Sequence, residues 1–120
     1  MTARVLLVED SPMITGALKL LLESGGFDVT LATTAAEAIS WSAPEPPALM
    51  LLDIGLPDGD GLAVIGALAA RGLRPATTYA MTGHSDAETH KRCVEAGCDG
   101  VLIKPVPVQQ LLRIVSEAVA

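Results

Sequence analysis

Five polar residues of this chain lie directly after short, continuous apolar runs. The carboxylates Glu9 and Asp10 follow the first run, and Asp53 follows a later one. A hydroxyl at Thr82 and an ammonium at Lys104 end two more runs. Such runs, with helical patterns between them, are typical of buried parallel strands. Because the crevice at the carboxyl ends of these strands is the usual ligand site, we expect the five side chains to converge on one pocket.

The three carboxylates predict a metal site. Taken singly, each of Glu9, Asp10 and Asp53 is explained as a solvated acid at the mouth of a loop, but that explanation fits poorly when all three follow strand ends. Carboxylates held within a few ångströms repel one another unless a cation lies among them or some are protonated. A hard divalent ion with oxygen ligands relieves the repulsion, and Mg²⁺ suits a site with few protein ligands and several waters.

The remaining two groups suggest phosphoryl chemistry. Lys104 is a compact cation suited to a carboxylate or a phosphoryl oxygen, and Thr82 offers a hydroxyl donor to the same group. An aspartate flanked by Mg²⁺, lysine and threonine is set up as a nucleophile toward phosphorus. The expected product is an aspartyl phosphate at Asp53.

Composition narrows the classes of function. The 120 residues match a common size for one domain, and 50% of them are hydrophobic, which is enough for a packed core. The net charge of −6 and the 8 scattered basic residues argue against direct binding of nucleic acid. The sequence has neither an apolar stretch of membrane-span length nor a secretory signal pattern, so we expect no membrane partner and a cytoplasmic location.

Strand and helix signals alternate along the chain. Strands are predicted at 4–8, 27–31, 49–52, 79–81 and 101–103. Helix starts are predicted at the Ser11-Pro12 N-cap, the Thr34–Glu37 capping box, Leu62, the Ser85–Glu88 capping box and Pro107. Buried helix faces are predicted for Ile14, Leu18, Leu21 and Leu22 and for Val108, Leu111, Leu112, Val115 and Val119. The alternation predicts an α/β fold, a doubly wound parallel sheet of five strands with five helices.

These residues resemble a known family. The chain is similar over essentially all 120 residues to the receiver domain of two-component response regulators, the family of the chemotaxis response regulator. The matching fragments are Val-Glu-Asp at 8–10, Leu-Asp at 52–53, Leu-Pro-Asp-Gly at 56–59, Met-Thr-Gly at 81–83, Ala-Gly-Cys-Asp at 96–99 and Lys-Pro at 104–105. Each fragment is weak alone, but together, in order and at receiver spacing, they are a specific signal.

The resemblance implies a role for each site residue. Asp53 is the phosphoacceptor, and Thr82 and Lys104 bind the phosphoryl group. The implied Mg²⁺ ligands are Glu9, Asp10, Asp53 and the backbone carbonyl of Gly55. It also implies the flavodoxin-like strand order 2-1-3-4-5 and a single receiver domain over residues 1–120.

The resemblance also implies partners and a mode of action. A histidine kinase or a histidine phosphotransfer protein donates the phosphoryl group, and a downstream protein target or effector domain reads the switched surface. Such a domain signals and is not an enzyme. A homodimer through helix 4, strand 5 and helix 5 is a further hypothesis, and the Lys104-Pro105 bond is predicted to be cis. The sequence fits both a stand-alone receiver and a part of a longer regulator.

Three positions depart from, or vary within, the family pattern. Val101 replaces the frequent Tyr or Phe switch residue, and Val106 replaces a frequent Phe. Either Val101 simply packs and output uses backbone shifts around Thr82, or the output itself is altered. His84 contacts the phosphoryl group or, as we favour, is an exposed loop histidine.

Three other functions would use some of the same residues. A haloacid-dehalogenase type of enzyme needs a second Asp two residues after the nucleophile, where this chain has Gly55. A calcium loop at 58–61 lacks an oxygen ligand at Leu62 and the glutamate at the twelfth position. A receiver-like module that binds partners without phosphorylation stays open, although the complete set of acids, Thr and Lys favours phosphorylation.

The two cysteines are expected to be free, buried thiols. His90 and Cys93 share a helical face, but two ligands without a third make a poor zinc site. Cys98 lies just past the end of the same predicted helix.

Overall fold

Five parallel strands form one sheet in the computed structural model, which describes residues 3–41 and 43–118. The strands are β1 (Arg4–Val8), β2 (Asp28–Ala32), β3 (Leu49–Asp53), β4 (Thr77–Thr82) and β5 (Gly100–Ile103). Their order in the sheet is β2-β1-β3-β4-β5, with every neighbouring pair parallel. The predicted fold class and strand order are therefore confirmed.

Helices alternate with the strands, as the capping signals predict. They are α1 (Pro12–Ser24), α2 (Ala35–Ser40), α3 (Ala63–Ala70), α4 (Ala87–Ala96) and α5 (Val108–Ala118). One feature lies outside the prediction: in the loop between β3 and α3, Gly55–Leu56 pairs antiparallel with Gly59–Asp60. No helix in the described ranges is long and apolar enough to cross a membrane.

The sheet separates two hydrophobic clusters because successive strand side chains point to opposite faces. Leu6 and Met50 pack in the cluster that includes residues of α2, α3 and α4. Leu7 and Leu51 pack in the cluster on the other face, with residues of α1 and α5. All four side chains are fully buried. Burial of β1 and β3 on both faces explains why their sequences are continuous apolar runs rather than alternating ones.

Two predicted caps differ in the structure. Ser11 holds the N-cap position of α1 and Pro12 its first turn, but no helix amide donates to the Ser11 side chain. Helix α4 is capped by Asp86 and not by Ser85, because the Asp86 carboxylate accepts a hydrogen bond from the Thr89 amide at 2.9 Å. The predicted Thr34 cap of α2 is confirmed by its hydrogen bond from the Glu37 amide.

Strand β2 begins one residue later than predicted. The Phe27 amide donates to the Leu22 carbonyl at 3.1 Å, so Phe27 belongs to the turn that ends α1. The Asp28 amide is the first that donates toward the neighbouring strand, to the Ala3 carbonyl at 2.9 Å. At its other end the strand extends to Ala32, one residue beyond the predicted Leu31.

The apolar faces of α1 and α5 are buried only in part. Buried as predicted are Leu18, Leu22, Leu111 and Val115, while Leu112 is half-buried and Val119 lies outside the described residues. The prediction is wrong for Ile14, Leu21 and Val108, which are 39%, 37% and 45% exposed. These three line an open cleft of about 500 Å³ between α1 and α5.

Candidate functional site

The carboxyl edge of the sheet gathers the predicted site residues. Glu9 follows β1, and its amide is held by the Ala32 carbonyl at 3.0 Å. Asp53 is the last residue of β3, and the parallel pairing of Val8 with Leu52 places it beside Glu9. The two residues are 1% and 5% exposed. Two carboxylates buried next to each other repel unless a cation lies between them or one is protonated.

Lys104 supplies that charge from the end of β5. Its Nζ lies 2.8 Å from Glu9 Oε2 and 3.0 Å from Asp53 Oδ2. Burial raises the pKa of Glu9. The contact with Lys104 lowers this pKa and the Asp53 charge raises it, and the overall shift is upward. Burial alone lowers the pKa of Lys104, but its contacts with the two carboxylates outweigh this and raise it overall. Lys104 is therefore held protonated. As predicted, the Lys104-Pro105 bond is cis.

The acidic residues are arranged to hold a metal ion. Glu9, Asp10 and Asp53 each offer a carboxylate oxygen, and these oxygens lie within 4.8 Å of one another. Among the described residues no other His, Cys, Asp or Glu cluster meets this geometry. The contact of Lys104 with the buried Glu9 Oε2 lacks hydrogen-bond geometry, so this oxygen keeps free acceptor capacity. Hard oxygen donors beside the exposed Asp10, where water has access, fit Mg²⁺.

Two backbone arrangements complete the pocket. The Gly55 amide donates to Asp53 Oδ1 at 2.9 Å, which brings the main chain of Gly55 against the carboxylate. Thr82 ends β4, one residue beyond the Met81 that pairs with Asp53, and it is 2% exposed. Thr82 Oγ1 accepts a hydrogen bond from the His84 amide at 3.0 Å, so the hydroxyl proton remains available to a ligand. The structure thus places all the predicted site residues at one edge.

Comparison with protein families identifies the family to which this chain belongs. The family model of the response regulator receiver domain matches residues 5–116. The chain belongs to this family. Receiver domains are signalling domains of two-component systems, which work with histidine kinases and effector domains. The family resemblance seen in the sequence is confirmed.

Relatives agree with the assignment. This receiver domain is 34% identical over 115 residues to the transcriptional regulatory protein KdpE of Mycobacterium tuberculosis. The match covers 96% of this chain and 50% of KdpE, so the chain spans about half the length of that curated relative.

Solved structures share the architecture. A CheY-like receiver domain protein from Methanospirillum hungatei JF-1 is 31% identical, with a TM-score of 0.83 over 98% of this chain and 93% of that one. The receiver domain of the sensor histidine kinase PA1611 from Pseudomonas aeruginosa PAO1 is 27% identical, with a TM-score of 0.84 over 99% and 98%. That second structure has a magnesium ion coordinated in its active site cleft.

The loop after Asp53 contains contacts that the sequence did not reveal. Both carboxylate oxygens of Asp58 accept hydrogen bonds from the first amides of α2, from Ala35 at 2.7 Å and from Ala36 at 3.0 Å. These hydrogen bonds lower the pKa of Asp58. Asp60 Oδ1 accepts from the Leu62 amide at 3.0 Å, next to the start of α3. The sequence signal was a turn-rich segment, which does not indicate a partner on α2.

The positions that depart from the family pattern have ordinary environments. Val101 is half-buried and packs against the cluster that contains Ala80. His84 is exposed, as favoured from the sequence. Position 101 therefore holds an aliphatic side chain where the family pattern frequently has Tyr or Phe.

Both thiols are free and buried, as predicted. Cys93 lies on the inner face of α4, and Cys98 follows the left-handed Gly97 that ends this helix. Burial raises the pKa of Cys93, and it raises that of Cys98 to about 12.

Proposed function

We propose that residues 1–120 form one phosphoacceptor domain in which Asp53 receives a phosphoryl group from a phosphohistidine donor. Glu9, Asp10, Asp53 and the Gly55 carbonyl would hold Mg²⁺. Thr82 and Lys104 would bind the transferred group. The domain is an acceptor whose modified state is its output, rather than an enzyme that releases product.

One observation carries the proposal. Lys104 Nζ touches two buried carboxylates, one of which belongs to the strand-ending Asp53, at the edge where the acidic cluster lies. The exposed Asp10 adds a third carboxylate oxygen within 4.8 Å of those of Glu9 and Asp53, which a structural ion pair does not need. A cationic side chain and a divalent-ion site on either side of one carboxylate favour attack by that carboxylate on phosphorus.

Phosphoryl transfer to Asp53 needs only the groups that the phosphohistidine donor and the site supply. An oxygen of Asp53 forms a bond to phosphorus, the bond between phosphorus and the donor imidazole nitrogen breaks, and its electron pair leaves with the imidazole. Bound Mg²⁺ would offset negative charge on the phosphoryl oxygens. Lys104 contributes its ammonium to the same oxygens, and Thr82 its hydroxyl proton.

The phosphodonor is proposed to be a histidine kinase or a histidine phosphotransfer protein. The cleft between α1 and α5 supports a protein donor because Glu9 and Lys104 form part of its lining. Its other walls are apolar, and Met13 at its rim is 87% exposed. A donor that covers this cleft would bring its histidine to the pocket. A downstream protein or effector domain is proposed as the reader of the phosphorylated state.

Metal-dependent phosphorylation is the direct test. Incubated with acetyl phosphate and Mg²⁺, the protein should gain the mass of one phosphoryl group, measured by mass spectrometry of the intact chain. With EDTA in place of Mg²⁺ the gain should disappear. A module that binds partners without phosphorylation would show no gain in either sample, and that result would reject the proposed function.

Phosphorylation is expected to move the loop that follows Thr82. The added group carries roughly −1.5 to −2 charges if it behaves like other phosphorylated side chains, and it should draw in Thr82 and Lys104. Beryllofluoride, a phosphoryl mimic, should therefore shift amide resonances from Gly83 to Glu88, with only small changes at Val101. Shifts confined to the Asp53 loop would contradict this switch.

A further inference from the structure

An ion pair connects the loop after Asp53 to helix α4. Arg92 Nη2 lies 2.5 Å from Asp60 Oδ2, while Oδ1 of the same carboxylate accepts from the Leu62 amide. Asp60 belongs to the short antiparallel pairing that also contains Gly55. The pair therefore joins α4 to the segment that begins at the phosphoacceptor.

Helix α4 is also connected to the opposite side of the pocket. Its N-cap, Asp86, lies four residues after Thr82 and accepts a hydrogen bond from Thr89. Arg92 is part of the same continuous helix. A displacement of the loop between Thr82 and Asp86 that moves α4 as one unit would displace Arg92 relative to Asp60.

We propose that Arg92 is a positioning residue whose ion pair with Asp60 opposes the movement of α4 that accompanies occupancy of Asp53. This inference rests on the proposed function. At 2.5 Å the two atoms are already as close as an ion pair allows, so a displacement of α4 relative to Asp60 can only lengthen the contact. A contact present in only one of two states favours that state.

Loss of the Arg92–Asp60 pair is expected to change the affinity for beryllofluoride by a small factor and in a defined direction. The two side chains are 48% and 49% exposed, and exposed ion pairs are weak and screened by salt. Loss of the pair should raise the affinity for beryllofluoride by about two- to fivefold. For Arg92→Gln, simple electrostatics predicts the opposite sign, because removing a positive charge weakens the binding of an anion. For Asp60→Asn both effects have the same sign, so the Arg92 variant is the one that discriminates.

A neighbouring pair provides the matched control. Lys91 lies one residue earlier on α4, and its Nζ is 3.9 Å from Glu95 Oε1 within the same helix. Lys91→Gln removes the same charge as Arg92→Gln but no contact between elements. We therefore expect Lys91→Gln to leave the affinity unchanged or to lower it slightly.

The test is a beryllofluoride titration in Mg²⁺, followed by amide shifts, on the wild type and on the variants at Arg92, Asp60 and Lys91. Arg92→Gln and Asp60→Asn should each bind about two- to fivefold more tightly, and the double variant no more tightly than either single one. Asn keeps an oxygen for the Leu62 amide. Arg92→Lys should restore part of the wild-type affinity, and high salt should bring the wild type toward the variants.

The outcomes separate the two proposals. If the wild type does not bind beryllofluoride, the proposed function fails. If the wild type binds but Arg92→Gln matches Lys91→Gln, or binds more weakly than the wild type, the positioning role of Arg92 is rejected while the proposed function stands.

Discussion

Asp53→Asn is expected to reduce the mass gain from acetyl phosphate and Mg²⁺ to background. The amide lacks the anionic oxygen that attacks phosphorus, and neutral Asn is a weaker metal ligand than a carboxylate. The change is nearly isosteric, and an Asn oxygen still accepts the hydrogen bond that the Gly55 amide donates to Asp53 Oδ1. Lys104 keeps Glu9 as its counter-ion. The variant should therefore fold, which its circular dichroism spectrum would check.

A remote carboxylate serves as the control for this variant. Asp28 is exposed on β2 and lies 3.7 Å from Arg4, away from the pocket. Asp28→Asn should gain the phosphoryl mass as the wild type does. A full mass gain in Asp53→Asn would show that another residue is the acceptor.

Gly61→Ala is expected to lower the free energy of unfolding by about 1–3 kcal/mol. A Cβ at position 61 would overlap the Asp53 carbonyl oxygen and lie 2.8 Å from the Ile54 Cα, and both are backbone atoms. The segment has little room to shift, since the Gly61 amide donates to the Ile54 carbonyl at 3.0 Å. Urea denaturation followed by circular dichroism measures the change.

Gly66 gives the matched comparison. It lies in α3, and a Cβ there would meet nothing within 4 Å. Gly66→Ala should raise the free energy of unfolding by about 0.5–1 kcal/mol, because alanine is the better helix former. Equal effects of the two substitutions would contradict the close approach at position 61.

The fold followed from the sequence wherever local signals and burial agreed. The runs at Val5–Val8 and Leu49–Leu52 are apolar without alternation because both faces of their strands are covered, and this pattern predicts a parallel sheet. Parallel strands then bring residues after their carboxyl ends to one edge, so the meeting of Glu9 with Asp53 required no knowledge of the tertiary structure. Pro12 and Gly97 marked helix ends for equally local reasons.

The contacts that the sequence did not reveal are those between distant segments. Asp58 and Ala35 are 23 residues apart, and Asp60 and Arg92 are 32 apart. Nothing in the turn-rich segment specifies such partners, since Asp and Gly favour a turn whatever surrounds it. The prediction that the apolar face of α1 is fully buried was wrong for a related reason. Periodicity locates an apolar stripe on a helix, but the neighbouring α5 determines how much of that stripe is covered.

The burial of the two native cysteines has a practical consequence for spectroscopy. Thiol-reactive spin labels and fluorophores attack thiolates, and a thiol with a pKa near 12 supplies almost none at neutral pH. Cys93 is fully buried and Cys98 is 8% exposed, so both are also shielded from reagents. The native cysteines of the wild-type chain should therefore react little with reagents used for site-directed labelling. A single cysteine introduced at exposed Glu88 would carry a probe on α4 without removal of the native pair.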